Sequence, residues 1–277
     1  MLSMLKLLAT TILLGSILSA NSDAKIEGFL KESFSNNPAI LDLTVKITER
    51  VQIPSMKGWE ALIVVVDADV KGKVKKQKVR QKMIWFTDGN VITKELIDIN
   101  SRESLKELIA PSFKAEYYRK ENLIYGNANA KHKVAIFSDP LCPFCSTFVP
   151  QAIKEMKKRP DTFAIYYYHF PLPSIHPAAI ELSQAAIVAE MQGLKDVVLR
   201  MYDVEVDAKE RDVKKILNAF NKTMGTNIKP SDLANAKVRH HFQTDLMIAD
   251  ELMVAGTPTM FFDGKLDKSK RKYQKVK

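Results

Sequence analysis

The chain has 277 residues, 46% of them hydrophobic and 27% charged, with 42 Lys and Arg against 32 Asp and Glu for a formal net charge of +10. This composition is that of an ordinary globular protein, long enough for two modest domains, and it excludes a disordered or low-complexity chain. Two cysteines in all exclude a disulfide-stapled scaffold and a four-cysteine zinc site.

Lys6 is followed by an apolar run, Leu7 to Leu18, too short to span a bilayer comfortably. Ser22-Asp23-Ala24 then places small residues at the −3 and −1 positions of a cleavage site before Lys25, with Ala20 as an alternative cut. Residues 1–24 are expected to be a secretory signal peptide and the mature protein to be exported. No later apolar run reaches spanning length, so the mature chain is expected to be soluble.

Residues 25–110 read as an α+β domain, a helix plus an antiparallel sheet. Ile26, Phe29, Leu30 and Phe34 recur at helical spacing in Lys25–Ser35. Strand-like runs follow at Leu41–Arg50, Trp59–Val70, Val79–Thr87 and Val91–Ile99, with Asp88-Gly89-Asn90 as a hairpin turn between the last two. Lys71–Lys82 carries seven basic residues. A charge-protected edge hairpin accounts for them better than a nucleic-acid patch would in an exported protein. Asn100 and Glu103 stand in capping-box positions for a helix running to Pro111, and the polar residues 111–132 read as a linker.

From Lys133 a third pattern begins. Lys133–Phe137 is a short apolar run suited to the middle of a covered sheet, and Phe137-Ser138-Asp139-Pro140-Leu141-Cys142-Pro143-Phe144-Cys145 follows at what reads as a strand–helix junction. Pro143 suits the first helical turn, where its missing N–H would be unpaired anyway. A helix N-terminus carries unpaired N–H groups and partial positive charge, which favour a thiolate. Cys142 is therefore the candidate nucleophile, and Cys145, one turn later, can resolve a mixed disulfide. A zinc site would need a second ligand pair, and His240 and His241 are adjacent rather than spaced for one. A purely structural disulfide would close too small a loop to constrain the unfolded chain much. No metal and no cofactor is expected.

Val254 to Phe262, with Gly256-Thr257-Pro258-Thr259 at its turn, reads as a turn entering an apolar strand. Together with the Cys-Pro-Phe-Cys run and Pro150 within the following helix, it resembles the thioredoxin fold. In that fold a cis proline lies beside the cysteine pair, though an ordinary trans proline at a strand start is the alternative. The order helix–sheet, linker, thioredoxin domain (133–277) resembles the periplasmic proteins DsbC and DsbG. Phe137 and Asp139 and the Gly256-Thr257-Pro258 triplet match that family at the same offsets.

The resemblance implies catalysis by Cys142 and Cys145, client binding at Thr257 and Pro258, and redox tuning by Pro143 and Phe144. Phe144 stands where the strongly oxidising DsbA has an imidazole, so a milder oxidant is implied. It further implies a homodimer through the N-terminal domain and exported cysteine-containing proteins as clients. A membrane redox partner, either a DsbD-like reductant or a DsbB-like oxidant, is implied too. Three functions stand open: a disulfide isomerase, a dimeric disulfide oxidase, and a holdase chaperone with secondary redox activity.

Downstream, Phe163–Phe170 reads as a strand. Helical segments follow from His176 to Gln192 and at Leu194–Met201, Ala208–Phe220 and Ser231–Met253, a helical insertion in the resemblance. His169 and His176 are read as packing or capping residues rather than proton shuttles. The last residues, Lys265–Lys277, carry seven basic side chains and no apolar helix, so a disordered basic tail is expected.

Overall fold

The computed structural model describes residues 22–71, 77–102 and 104–276. The expected leader falls almost wholly outside these residues. The chain divides into two compact units, Met1–Ala110 and Pro111–Lys277.

The first unit opens with a helix over residues 22–35, α1, which starts ahead of the expected Lys25. Asp23 in its first turn pairs with Arg50 at 2.5 Å, and Arg50 also pairs with Glu60. The strands β1 (Ile40–Gln52), β2 (Glu60–Val70), β3 (Gln77–Thr87) and β4 (Ile92–Thr93) form one antiparallel sheet in sequence order. Along β1, Leu43 and Val45 are buried while Thr44 and Lys46 are exposed, the two-residue period of a half-covered strand. With Leu62, Val64 and Trp85 they pack against Ile26 and Leu30 of α1. On the other side Ala61 and Phe86 are covered by Ile53 and Leu105.

In the β2–β3 hairpin Asp67 stands opposite Arg80 and Asp69 opposite Lys78. The basic stretch thus sits partly against acidic partners, while residues 72–76 at its tip lie outside the described residues.

Two expectations fail here. The strand expected over Val91–Ile99 forms a ladder at Ile92 and Thr93 and beyond that a single isolated bridge, Ile97 to Ser104. Leu96 packs beside Phe86 and Leu105, but Ile97 is 63% and Ile99 90% exposed. The helix expected from Asn100 is reduced to one turn, α2 (Lys106–Ile109), without a side-chain cap. Asp98 instead accepts the N–H groups of Asn100 and Ser101, and Arg102 turns left-handed at φ 60°, which closes a turn where the helix would begin.

The second unit is built on a five-stranded sheet in the order β5 (Leu123–Tyr125), β7 (Phe163–His169), β6 (His132–Ser138), β8 (Thr259–Phe262), β9 (Lys265–Leu266). Only β6 and β7 run parallel. The segment 111–132, expected as a linker, belongs to this unit. Phe113 and Tyr117 are buried in its core, and β5 is a strand of its sheet. Gly126, at φ 82°, lets the chain pass so close to β7 that a Cβ there would lie 1.9 Å from the Phe163 carbonyl oxygen.

The sheet is covered on both faces, which explains the unbroken apolar runs of β6 and β7. Val134, Ile136, Phe163, Ile165 and Tyr167 face α3 (Pro143–Lys157) and α4 (Ala179–Met191). Ala135, Phe137, Ala164, Tyr166 and Tyr168 face Phe113, Tyr117 and the end of α8 (Ala236–Glu251). Between β7 and β8 lie α4, α5 (Val197–Met201), α6 (Val213–Met224), α7 (Pro230–Leu233) and α8. The single helix expected over Ser231–Met253 is two, because the Asn235 side chain accepts the Lys237 N–H and starts α8 afresh.

The basic C-terminus is ordered, against expectation. Buried Asp267 accepts the Lys272 N–H at 2.9 Å and the Ser269 hydroxyl at 2.6 Å. This folds a short turn, Lys272–Lys275, that inserts Tyr273, 1% exposed, into the core against the α3 side. Tyr273→Ala is expected to cost the unit about 3 kcal/mol, the scale of truncating a buried aromatic. An unchanged urea midpoint would show that the tail contributes nothing to the core.

Candidate functional site

Strand β6 ends at Ser138, and Asp139 turns the chain toward α3. The Asp139 carboxylate is fully buried. Its Oδ1 accepts the Leu141 N–H at 2.7 Å, and its Oδ2 accepts the Leu172 N–H at 2.8 Å and meets His176 Nδ1 at 2.9 Å. It thereby fastens the loop before α3 to the loop after β7. Cys142 follows with extended backbone as the N-cap residue of α3, and Pro143 takes the first helical position. The N–H groups of this first turn have no intrahelical partner, so Cys142 sits where a helix favours negative charge. Phe144, the next residue, is 78% exposed.

Cys145 points inward. It is 0% exposed against 5% for Cys142, and both thiols are free. Burial pushes the Cys145 thiol up to about 11, while the Ser138 hydroxyl, the Thr257 hydroxyl and the Asp139 backbone N–H oppose that rise.

Strand β8 pairs antiparallel with β6, with Phe137 opposite Thr259, so the residues before β8 meet the cysteines. The Cys142 Sγ lies 3.7 Å from the Thr257 carbonyl oxygen, to which its S–H donates. The Thr257–Pro258 bond is cis, as the resemblance implied.

The structure therefore brings Cys142, Cys145 and Thr257 together, with Pro143 and Pro258 bonded next to them and Phe144 turned outward. Of the two histidines, His176 orients Asp139. His169 is buried elsewhere, its backbone N–H donating to Asp245 at 2.9 Å, and burial lowers its ring to about 3, so it stays neutral. Among the described residues no group of three or more His, Cys, Asp or Glu could hold a metal ion.

Two contributors carry no sequence signal. Tyr202, at the C-terminal end of α5, meets the Ser138 hydroxyl at 2.7 Å, and the Tyr167 hydroxyl lies 3.1 Å from Tyr202. A cleft of about 560 Å³, lined among others by Arg119, Ile187, Glu190 and His241, includes neither cysteine.

A family model described as Thioredoxin matches residues 119–277. The Na(+)/H(+) antiporter NhaA 1 of Mycolicibacterium gilvum is 28% identical over 51% of this chain and 23% of that protein. The probable thiol:disulfide interchange protein DsbC of Bordetella avium is 26% identical over 65% of this chain and 52% of that protein. The thiol:disulfide interchange protein DsbG of Pseudomonas aeruginosa is 28% identical over 63% and 62%. This chain thus spans less than two thirds of each of these relatives. Among solved structures, the catalytic domain of Proteus mirabilis ScsC covers 55% of this chain and 82% of its own, with 22% identity and a TM-score of 0.43. Among the described residues no helix is long and apolar enough to cross a membrane.

Because the Cys145 thiol is buried and held up to about 11, iodoacetamide at pH 8 is expected to label Cys142 and spare Cys145. Labelling of Cys145 should rise about tenfold per pH unit as its thiolate forms. Equal labelling of both at pH 8, read by peptide mass spectrometry, would contradict the burial of Cys145.

Proposed function

Because the chain belongs to the thioredoxin family, we propose that it is a periplasmic thiol–disulfide oxidoreductase that rearranges disulfides in exported proteins, a disulfide isomerase in the manner of DsbC and DsbG. The observation that carries this reading is the pairing of a helix-capping cysteine with a fully buried one a turn later. Cys142 caps α3 beside the Thr257 carbonyl, and Cys145 lies beneath it.

In the forward step the Cys142 thiolate attacks a client disulfide. A Cys142–client S–S bond forms and the client's other sulfur leaves as a thiolate. That thiolate can attack elsewhere in the client and reshuffle it, with Cys142 expelled at the end. Alternatively Cys145 attacks Cys142, the Cys142–Cys145 bond forms, and the client departs reduced. Run backward, the same steps donate a disulfide, which is the oxidase reading.

Thr257 and Pro258 border the nucleophile and are proposed to hold an extended client segment, whose backbone can pair with a free strand edge. The exposed ring of Phe144 would meet the same client. The relatives named DsbC and DsbG are thiol:disulfide interchange proteins, which supports disulfide exchange as the chemistry.

Residues 25–110 are proposed to dimerise. Their β1 is a 13-residue strand at the sheet edge with Leu41 half exposed, a surface that proteins otherwise protect. A membrane reductant would keep the cysteine pair reduced for isomerisation, and a membrane oxidant would recharge it for donation.

The test is the recovery of activity by a client enzyme with scrambled disulfides in a glutathione buffer. Wild type is expected to speed recovery, Cys142→Ser to abolish that gain, and Cys145→Ser to accumulate a mixed disulfide with the client. Rapid oxidation of a fully reduced client, with no effect on the scrambled one, would make the protein an oxidase. Aggregation suppression surviving in Cys142→Ser as the single activity would make it a holdase.

A further inference from the structure

Cys145 must become a thiolate to close the ring on Cys142, yet its surroundings oppose charge. In this step the Cys145–Cys142 bond forms and the Cys142–client bond breaks. The electron pair leaves on the client sulfur, which takes up from water the proton that Cys145 gave to it. A buried thiolate needs donors, since an uncompensated charge in the interior is costly. Among the described residues no carboxylate beside Cys145 is free to help as a base. Asp139, the acidic residue beside the site, has both oxygens committed to Leu141, Leu172 and His176.

Within an apolar core, the polar groups that reach Cys145 are the Ser138 and Thr257 hydroxyls and the Asp139 backbone N–H. Thr257 Oγ1 is buried and makes no full hydrogen bond in the free-thiol state. A buried donor without a partner calls for an explanation, and here it adjoins a sulfur that acquires charge only in transit. Ser138, fully buried at the end of β6, is bonded to Tyr202 at 2.7 Å, and Tyr202 to Tyr167 at 3.1 Å. Each hydroxyl can donate and accept at once. Once Cys145 is ionised the chain has one satisfied direction: Tyr167 donates to Tyr202, Tyr202 to Ser138, and Ser138 to the sulfur. Such chains polarise one another in a low-dielectric site.

We propose, building on the redox reading above, that Ser138 and Thr257 form a thiolate cradle for Cys145, and that Tyr202, delivered by the helical insertion, is a positioning residue that aligns Ser138. The cradle acts on ring closure and not on the first attack by Cys142. It sets how readily a mixed disulfide is resolved, and so the balance between reshuffling a client and reducing it. The titratable groups facing Cys145 are Cys142, Tyr167 and Tyr202, with Asp139 behind them.

The reduced full chain is mixed with oxidised glutathione, quenched in acid at intervals, and resolved by mass into glutathione adduct and closed ring from pH 6 to 9. In Ser138→Ala, ring closure at pH 7 is expected to slow about tenfold and its pH midpoint to rise by about one unit, the equivalence of a tenfold change in ionisation. Tyr202→Phe, which removes one oxygen and keeps the ring, should slow closure about threefold in the same direction, as expected when Ser138 loses the one hydrogen bond that aligns it. Adduct formation should keep its wild-type rate in both. Closure with wild-type rate and pH midpoint in both variants would overturn the cradle. A wild-type protein that never forms an adduct or never closes the ring would overturn the redox reading itself, and the cradle with it.

Discussion

The buried carboxylate of Asp139 is the contact on which the site depends. It accepts two backbone N–H groups and meets His176 Nδ1, and these lie on two different loops at the same end of the sheet. Hydrogen bonds to a charged group contribute about 1.5–3 kcal/mol each, and a buried carboxylate stripped of them would be costly. The loop that positions Cys142 and the loop that follows β7 are thus tied by one side chain. Parallel pairing of β6 with β7 brings Ser138 level with His169, and antiparallel pairing with β8 brings Thr257 to the same end. The cysteines, Asp139 and Thr257 meet where β6 stops, and Tyr202 reaches them from the end of α5.

That geometry separates two chemically identical residues. Cys142 takes the helix N-terminus and the rim, and Cys145 takes the interior, where burial makes its thiolate costly to form. Three residues of spacing on a helix account for the difference. A nucleophile at the helix N-terminus and a reluctant resolving thiol one turn deeper give a mixed disulfide time to exist. The hydroxyl groups behind Cys145 then govern how long that is.

The cysteine pair, Pro143, Pro150 and the Gly256-Thr257-Pro258 turn were legible in the sequence because each is bound to local backbone geometry. The apolar runs of β6 and β7 were legible because both sheet faces are covered. Tyr202 was not, since its partner Ser138 lies 64 residues earlier and nothing local marks the pairing. The linker expected over 111–132 was misread because its polar composition hides Phe113, Tyr117 and Asn122, which are buried by contacts far along the chain. The same holds for the tail, whose seven basic residues outweigh Tyr273 and Asp267 in composition but not in packing. The expected helix at Asn100 shows the reverse error, a local capping pattern overruled by the turn that Asp98 closes.

The central claim is that Cys142 and Cys145 form one reversible redox pair. Its most direct measurement is equilibration of the purified protein across a series of reduced-to-oxidised glutathione ratios, with the protein thiols counted after acid quenching. A single two-electron transition, in which both thiols disappear together and which is lost in Cys142→Ser, is predicted. Two thiols that remain countable across the whole series would contradict the account.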